Sequence, residues 1–195
     1  YPPELAEIFG DAWPQVSDED MRQIAQPIDF VGINYYTRSV TAASDSYPLR
    51  AGAVRQPLGT YTETGWEVFP QGLVDTLVWF KQTYGDLPLY VTENGAAFFD
   101  PPVAEDSRVR DPLRIDYLRK HLSAIHDAIA AGVDVRGYMA WSLLDNLEWS
   151  LGYSKRFGII HVDYGTLERT PKDSARWFSG IIGSHGRALS DPLPY

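Results

Sequence analysis

The clearest periodic pattern lies in the second half of the chain, where apolar residues recur every three or four positions. The repeating residues are Ile115, Leu118, Leu122, Ile125 and Ile129. This spacing is typical of one face of a helix. Asp111 and Pro112 suit its first turn, and Gly132 suits its end. The pattern therefore predicts a helix that begins at Asp111 and Pro112 and closes at Gly132.

Weaker signals predict further helices over residues 17–24, 73–85 and 170–182. Ser17 and the acidic residues after it resemble a capping box, and Gly85 is a typical helix end. The last of these helices is expected to start near Thr170, Pro171 and Asp173.

Short apolar runs rich in β-branched residues lie between the helices, at residues 28–34, 89–92 and 135–141. Such runs are typical of parallel strands buried on both faces. Strand and helix alternate three times, which predicts an α/β architecture with right-handed crossovers. Long irregular loops are expected at residues 38–70, 95–110 and 142–164.

The length of the chain limits the fold. It has 195 residues, whereas an eight-stranded (β/α)8 barrel needs about 250. Three β/α units cannot close such a barrel. The sequence therefore indicates either a small open sheet or a segment of something larger, and no repeat or linker marks a second domain.

Composition excludes several classes of partner. A formal net charge of −9 disfavours nucleic acid and anionic membranes, and no apolar run is long enough to span a membrane. The absence of cysteine suits a reducing compartment. With no signal peptide recognisable at the start of the sequence, a cytoplasmic location is expected.

Candidate chemistry follows the predicted strands, because parallel α/β folds place their sites at the carboxyl ends of strands. Glu93 directly follows the second strand. Trp141 ends the third, and Asp145, Glu148 and Trp149 come after it. Indoles among carboxylates fit a ligand with apolar faces and hydroxyl edges, such as a sugar. Glycoside hydrolysis needs two carboxylates, and Glu93 with Glu148 is the natural pair. The alternatives are an Asn-Gly turn that begins at Glu93 and a surface loop packed on its tryptophans.

The sequence lacks the residues that other kinds of active site require. The four histidines include no HExxH and no pair on one helix face, so no metal site is predicted. No Gly-x-Ser-x-Gly elbow, P-loop or Gly-x-Gly-x-x-Gly segment occurs. A charged group is interpreted as a solvated, salt-bridged surface: Asp106, Arg108, Arg110, Asp111 and Arg114.

Six ordered segments, taken together, resemble one enzyme family. They are GINYYT, GWEVFPQGL, VTENGAAF, RIDYLRKHL, GYMAWSLLDNLEWSLGYSKRFGIIHVDY and RTPKDSARWF. They are similar to segments of family-one glycoside hydrolases, which are β-glucosidases, β-galactosidases and phospho-β-glycosidases built on the (β/α)8, or TIM, barrel. The resemblance implies that residues 1–195 are the carboxyl-terminal segment of a single barrel domain and supply its last three β/α units, strands six to eight.

The resemblance also implies roles for individual residues. Glu93 matches the catalytic nucleophile, and Tyr36 matches a tyrosine whose hydroxyl hydrogen-bonds that carboxylate. Positions near the nucleophile or in the sugar pocket are matched by Asn34, Trp141, Glu148, Trp149 and, at the pocket rim, Phe157. Glu148 thereby becomes a sugar ligand, since the family's acid/base glutamate belongs to an Asn-Glu-Pro segment after strand four. No Asn-Glu-Pro occurs in this chain.

For the complete enzyme, the resemblance implies hydrolysis of terminal non-reducing β-D-glucosyl residues by double displacement, with no cofactor. The chain would need the amino-terminal half of the barrel as its partner and would by itself hydrolyse nothing at an enzymatic rate. Glu148 would repel a sugar phosphate, which favours a neutral β-glycoside, although Lys155 and Arg156 lie nearby. The alternative is a carbohydrate-binding fragment that performs no chemistry.

Overall fold

The structure is a computed structural model that describes residues 3–47, 49–101 and 108–193. These residues separate into two compact units. The smaller unit comprises residues 3–29 and 39–56, and the larger comprises residues 30–38 and those from 57 onward.

The chain contains both helices and strands. The helices are α1 (Ala6–Phe9), α2 (Asp18–Ile24), α3 (Pro70–Tyr84), α4 (Pro112–Ala130) and α5 (Asp173–Gly183). The strands are β1 (Val31–Asn34), β2 (Thr41–Ala43), β3 (Ala51–Ala53), β4 (Leu89–Asn94), β5 (Val135–Ala140), β6 (Ile160–Val162) and β7 (Arg169–Pro171). Short 3₁₀ turns lie at Pro3–Leu5, Gly10–Ala12, Trp149–Leu151 and Arg187–Ser190.

A parallel sheet with the order β1-β4-β5 forms the centre of the larger unit. Its three strands are the three that the sequence predicted, joined by α3 and α4 as crossovers, so the α/β expectation is confirmed. β1 begins three residues later than predicted, and β4 extends two residues further, through Glu93 and Asn94.

The core lies between this sheet and the two crossover helices. Leu73 and Leu77 of α3 and Ile125 of α4 pack against Leu89 and Val91 of β4, and all five are buried. The apolar stripe of α4 therefore faces inward as predicted, until Ile129, which is exposed at the end of the helix.

Two antiparallel pairs were not predicted: β2 with β3 in the smaller unit, and β6 with β7 in the larger. Each strand has three residues, too few to show a periodic pattern. Thr170 and Pro171 belong to β7 rather than to the last helix, because Thr170 pairs with His161 of β6. Helix α5 begins at Asp173.

The capping box predicted at Ser17 is confirmed. The Asp20 backbone N–H donates to Ser17 Oγ at 3.1 Å, and the Ser17 N–H donates to Asp20 Oδ2 at 2.9 Å. These reciprocal bonds satisfy backbone donors that a helix start leaves free.

The interpretation of the charged group as solvated surface is wrong for two of its members. Asp111 and Arg114 are buried and paired with each other at 2.6 Å. Arg108 is exposed and forms a bidentate pair with Asp173, and Arg110 is exposed. Asp106 lies outside the described residues.

Among the described segments, no helix combines the length and the apolar character needed to cross a membrane.

Candidate active site

Glu93 lies in β4, one residue before its end, at a point where the pairing of the sheet becomes irregular. Ile33 of β1 pairs with Val91, but the next residue, Asn34, pairs with Glu93, so Thr92 has no partner in this ladder. Irregularities of this kind re-aim side chains and occur often beside active sites. The Tyr35 N–H donates to the Glu93 carbonyl at 2.9 Å. The nucleophile candidate therefore belongs to the sheet, and it does not begin an Asn-Gly turn.

Tyr36 contacts Glu93 directly, as the resemblance implied. Its hydroxyl donates a 2.7 Å hydrogen bond to Glu93 Oε2, although 57 residues separate the two along the chain. Burial, this hydrogen bond and the charges of Glu93 and Glu148 raise the pKa of Tyr36 above its ordinary value. Tyr36 consequently stays protonated and remains a donor over the physiological pH range.

Asn94 holds the end of β4 and was not identified from the sequence. It is completely buried; its Nδ2 donates to the Tyr35 carbonyl at 2.7 Å and to the Tyr117 hydroxyl at 3.0 Å. Its Oδ1 accepts from the Tyr138 hydroxyl at 2.9 Å. Since α4, β5 and the residue after β1 each supply one partner, this side chain fixes the backbone that carries Glu93. In the sequence, the only indication that Asn94 has a role at the site was its position directly after Glu93.

Gly95 allows the following loop to pass close to the end of β5. A Cβ atom at this position would lie 1.7 Å from the carbonyl oxygen of Trp141. The Trp141 N–H donates to the Asn94 carbonyl at 2.9 Å, and the Trp141–Ser142 peptide bond is cis. Trp141 is half-buried, next to the segment that contains Glu93.

Three aromatic rings pack together, one of them that of Tyr36. Tyr36 lies 5.2 Å from Trp66 and 6.3 Å from Phe157, and the latter two are 5.9 Å apart, all between ring centroids. Phe157 is only 2% exposed, so it is more enclosed than the rim position expected for it. Trp66 was missed as a site residue, although it lies in one of the segments that carried the resemblance.

The loop after β5 presents Glu148 and Trp149. Glu148 is half-buried and its backbone pairs with Gly152, while Trp149 is 86% exposed. Asp145, in contrast, is buried and accepts from Lys172 and Arg156 and from the backbone of Gly158. Asp145 therefore serves the loop itself and is not available to a ligand.

Asn34 lies at the exposed end of β1, directly beside Glu93 in the sheet. Its Oδ1 accepts a 2.7 Å hydrogen bond from the Thr92 hydroxyl. This bond orients the amide at the same edge of the sheet.

The two cations near Glu148 in sequence are both paired. Lys155 binds Glu63 at 2.8 Å, and Arg156 binds Asp145 at 2.6 Å. Within the described ranges, no group of three or more His, Asp or Glu side chains is arranged to hold a metal ion.

Comparison with known proteins gives the same family as the sequence segments. Residues 1–187 match the profile of Glycosyl hydrolase family 1. The chain belongs to glycosyl hydrolase family 1. It is 45% identical over 186 residues to the 1,4-beta-D-glucan glucohydrolase of Thermotoga neapolitana, and 45% identical over 202 residues to the bifunctional beta-D-glucosidase/beta-D-fucosidase of Bifidobacterium breve.

Solved structures of the family share the fold. The family 1 β-glucosidase of Thermotoga maritima superposes with a TM-score of 0.88 at 44% identity, over 95% of this chain and 41% of that one. The Exiguobacterium antarcticum family 1 β-glucosidase gives a TM-score of 0.89 at 40% identity, over 97% of this chain and 42% of that one. The three β/α units are thus part of a TIM barrel. The chain spans about two fifths of the length of its relatives, 41% and 44% for the two curated proteins named above.

Proposed function

We propose that the chain supplies the nucleophile and part of the sugar pocket of a retaining β-glucosidase. The observation that carries the proposal is the hydrogen bond from Tyr36 to Glu93 Oε2 at the carboxyl end of a barrel strand. Because Tyr36 binds Oε2, the proposal assigns the attack to Oε1 of Glu93. Family membership and relatives named as β-glucosidases add to this support.

In the first step, Glu93 Oε1 would attack the anomeric carbon of a β-glucoside while the bond to the leaving oxygen breaks. A glutamate outside this chain would protonate that oxygen and later remove a proton from the water that hydrolyses the glycosyl-enzyme. The amino-terminal half of the barrel, from the same or another chain, is thus a required partner. Residues 1–195 are proposed as part of one barrel domain with it.

The sugar would lie over Trp141, with Glu148 and Trp149 at its outer hydroxyls and Asn34 near Glu93. A neutral glycone is favoured because Lys155 and Arg156 are already paired with carboxylates, while Glu148 would repel a phosphate. Short β-1,4-glucans should also be tested as substrates, since one relative is named a glucan glucohydrolase. The cytoplasmic location stays a prediction.

The test uses the chain co-expressed with the amino-terminal barrel half of the Thermotoga maritima relative, hereafter the reconstituted enzyme. It should hydrolyse an aryl β-glucoside, and Glu93→Ala should lower kcat by about 10⁴-fold or more. Added azide should then restore turnover and yield the α-glucosyl azide, because azide replaces Glu93 on the same face and a single displacement inverts the anomeric carbon.

Glu148→Ala is the matched control, since azide should not rescue a variant that lost a sugar ligand. A folded Glu93→Ala enzyme without rescue would contradict the nucleophile assignment. If the reconstituted enzyme bound glucose yet hydrolysed no glycoside, the carbohydrate-binding alternative would replace the proposal.

A further inference from the structure

Six charged side chains form a buried cluster between the loops that follow β4 and β5. The acidic members are Asp100, Asp111 and Asp145, and the basic members are Arg114, Arg156 and Lys172. Arg156 has a side-chain exposure of 12%, and the other five are at most 1% exposed. Charges this deeply buried are tolerated only when they are paired and hydrogen-bonded.

Lys172 connects the two loops within this cluster. Its Nζ lies 2.5 Å from Asp100 Oδ2, in the loop after Glu93, and 2.9 Å from Asp145 Oδ1, in the loop that presents Glu148. Burial lowers the pKa of Lys172, and the two carboxylates act against that shift. One ammonium group therefore joins the segment after the nucleophile to the segment of the sugar pocket.

Arg114 makes a second connection between the same loops. It donates to both oxygens of Asp100 and, at 2.8 Å, to the carbonyl of Arg156. The side chain of Arg156 returns to Asp145 Oδ2 at 2.6 Å. Each loop is thus attached by side-chain bonds at its base.

The tip of the second loop has much weaker support. Leu147, Trp149 and Leu151 are exposed, and the backbone pair of Glu148 with Gly152 holds the turn closed. The position of Glu148 relative to Glu93 consequently depends on the base of the loop, where Asp145 is only three residues away. The hydrogen bonds from Gly158 and Val162 to the Asp145 carboxylate fix the other side of that base.

We infer that Lys172 is a positioning residue, which sets the place of Glu148 relative to Glu93 by binding Asp100 and Asp145 together. The inference rests on the proposed function. Loss of this bond should allow the Glu148 loop to shift while the hydrogen bond from Tyr36 to Glu93 remains. Glycosides that depend on contacts to the outer hydroxyls should then suffer more than those that lack such a hydroxyl.

The experiment compares kcat/KM of the reconstituted enzyme for an aryl β-glucoside and an aryl β-xyloside, which lacks the hydroxymethyl group. Active enzyme is counted from the burst of released aglycone, so a smaller folded fraction does not affect the values. Lys172→Met should lower the glucoside-to-xyloside ratio about tenfold. Arg136→Met, which breaks an exposed pair with Asp134, should leave the ratio unchanged.

A parallel fall in both kcat/KM values, with an unchanged ratio, would overturn the inference and leave Lys172 a purely structural residue. If Lys172→Met does not fold, Asp145→Asn replaces it, because asparagine keeps the shape of the side chain. The same glucoside-to-xyloside ratio of kcat/KM then tests the inference. A wild-type enzyme that hydrolyses neither glycoside would instead contradict the proposed function, and the two failures are therefore distinct.

Discussion

The carbonyl oxygen of Trp141 occupies the space that a side chain at Gly95 would need, since a Cβ atom there would lie 1.7 Å from it. The carbonyl oxygen is a backbone atom, and the position of a Cβ is fixed by the backbone, so rotation of a side chain cannot relieve the clash. Gly95→Ala should separate the end of β4 from the end of β5, lower the free energy of unfolding by more than about 3 kcal/mol and abolish turnover. Urea unfolding and glucoside hydrolysis of the reconstituted enzyme measure both effects.

The control for this change is Gly180→Ala. Gly180 lies in α5, and apart from its chain neighbours and the backbone of its own helix, no atom of the described residues lies within 4 Å of an added Cβ. This substitution should stabilise the protein by about 0.5–1 kcal/mol, because alanine loses less backbone entropy in a helix than glycine. If both alanine variants behaved alike, the contact of Gly95 with Trp141 would have no special importance.

Tyr36→Phe removes the hydroxyl that holds Glu93 Oε2 and keeps the packing of the ring. Hydrogen bonds to charged groups contribute about 1.5–3 kcal/mol, so kcat should fall by about ten- to a hundredfold, and steady-state kinetics measure this loss. Tyr35→Phe is the matched control. The Tyr35 hydroxyl donates to the backbone carbonyl of Phe69 at 2.6 Å, so its loss should reduce stability by about 1 kcal/mol and leave kcat nearly unchanged. Equal kcat losses would count against a specific role for Tyr36.

Trp149 should contribute to substrate binding and hardly at all to folding. Its side chain is 86% exposed, so Trp149→Ala should change the free energy of unfolding by less than about 0.5 kcal/mol. Loss of an aromatic contact worth about 0.5–1.5 kcal/mol should raise KM about two- to tenfold. Trp79→Ala provides the comparison, because Trp79 is also exposed but lies in α3. An increase in KM for both variants would point to a general effect.

His121 should make the protein less stable in acid. Its Nδ1–H donates to the Tyr117 carbonyl at 2.8 Å, and its buried Nε2 has no hydrogen-bond partner among the described residues. Burial lowers the pKa of His121 to about 4, from an ordinary value of 6.5. Between these two pH values the unfolded state binds more protons than the folded state, so stability falls as the pH falls.

The shift corresponds to a loss of about 3 kcal/mol between pH 7 and pH 4. Urea unfolding at several pH values measures it. His121→Phe should have a lower stability at pH 7 but a smaller decrease between pH 6.5 and pH 4. An identical pH dependence in both proteins would show that His121 does not titrate in this window.

The sequence revealed those parts of the fold that depend on neighbours along the chain. The stripe of α4 and the capping box at Ser17 are local patterns, and the structure confirms both. Glu93 was selected as a candidate because it follows the apolar run of residues 89–92 and lies in a segment shared with the family.

Residues whose role depends on distant partners could not be found in this way. Asn94 binds Tyr117 and Tyr138, which are 23 and 44 residues away. Arg114 and Lys172 are of charged types that are usually solvated, and only the arrangement of Asp100, Asp111 and Asp145 around them explains their burial. Patterns among neighbouring residues do not reveal ion pairs between side chains that are far apart in the sequence.

The central position of β4 has a consequence for how the family can evolve. Both hydrogen-bonded neighbours of this strand, β1 and β5, belong to the same chain, as do the side chains that hold Glu93 and Asn94. Recombination between family genes at a point upstream of β1 would therefore pass on Glu93 and its supports as one inherited block. Descendants of such an event could receive a different upstream segment while Glu93 kept its surroundings.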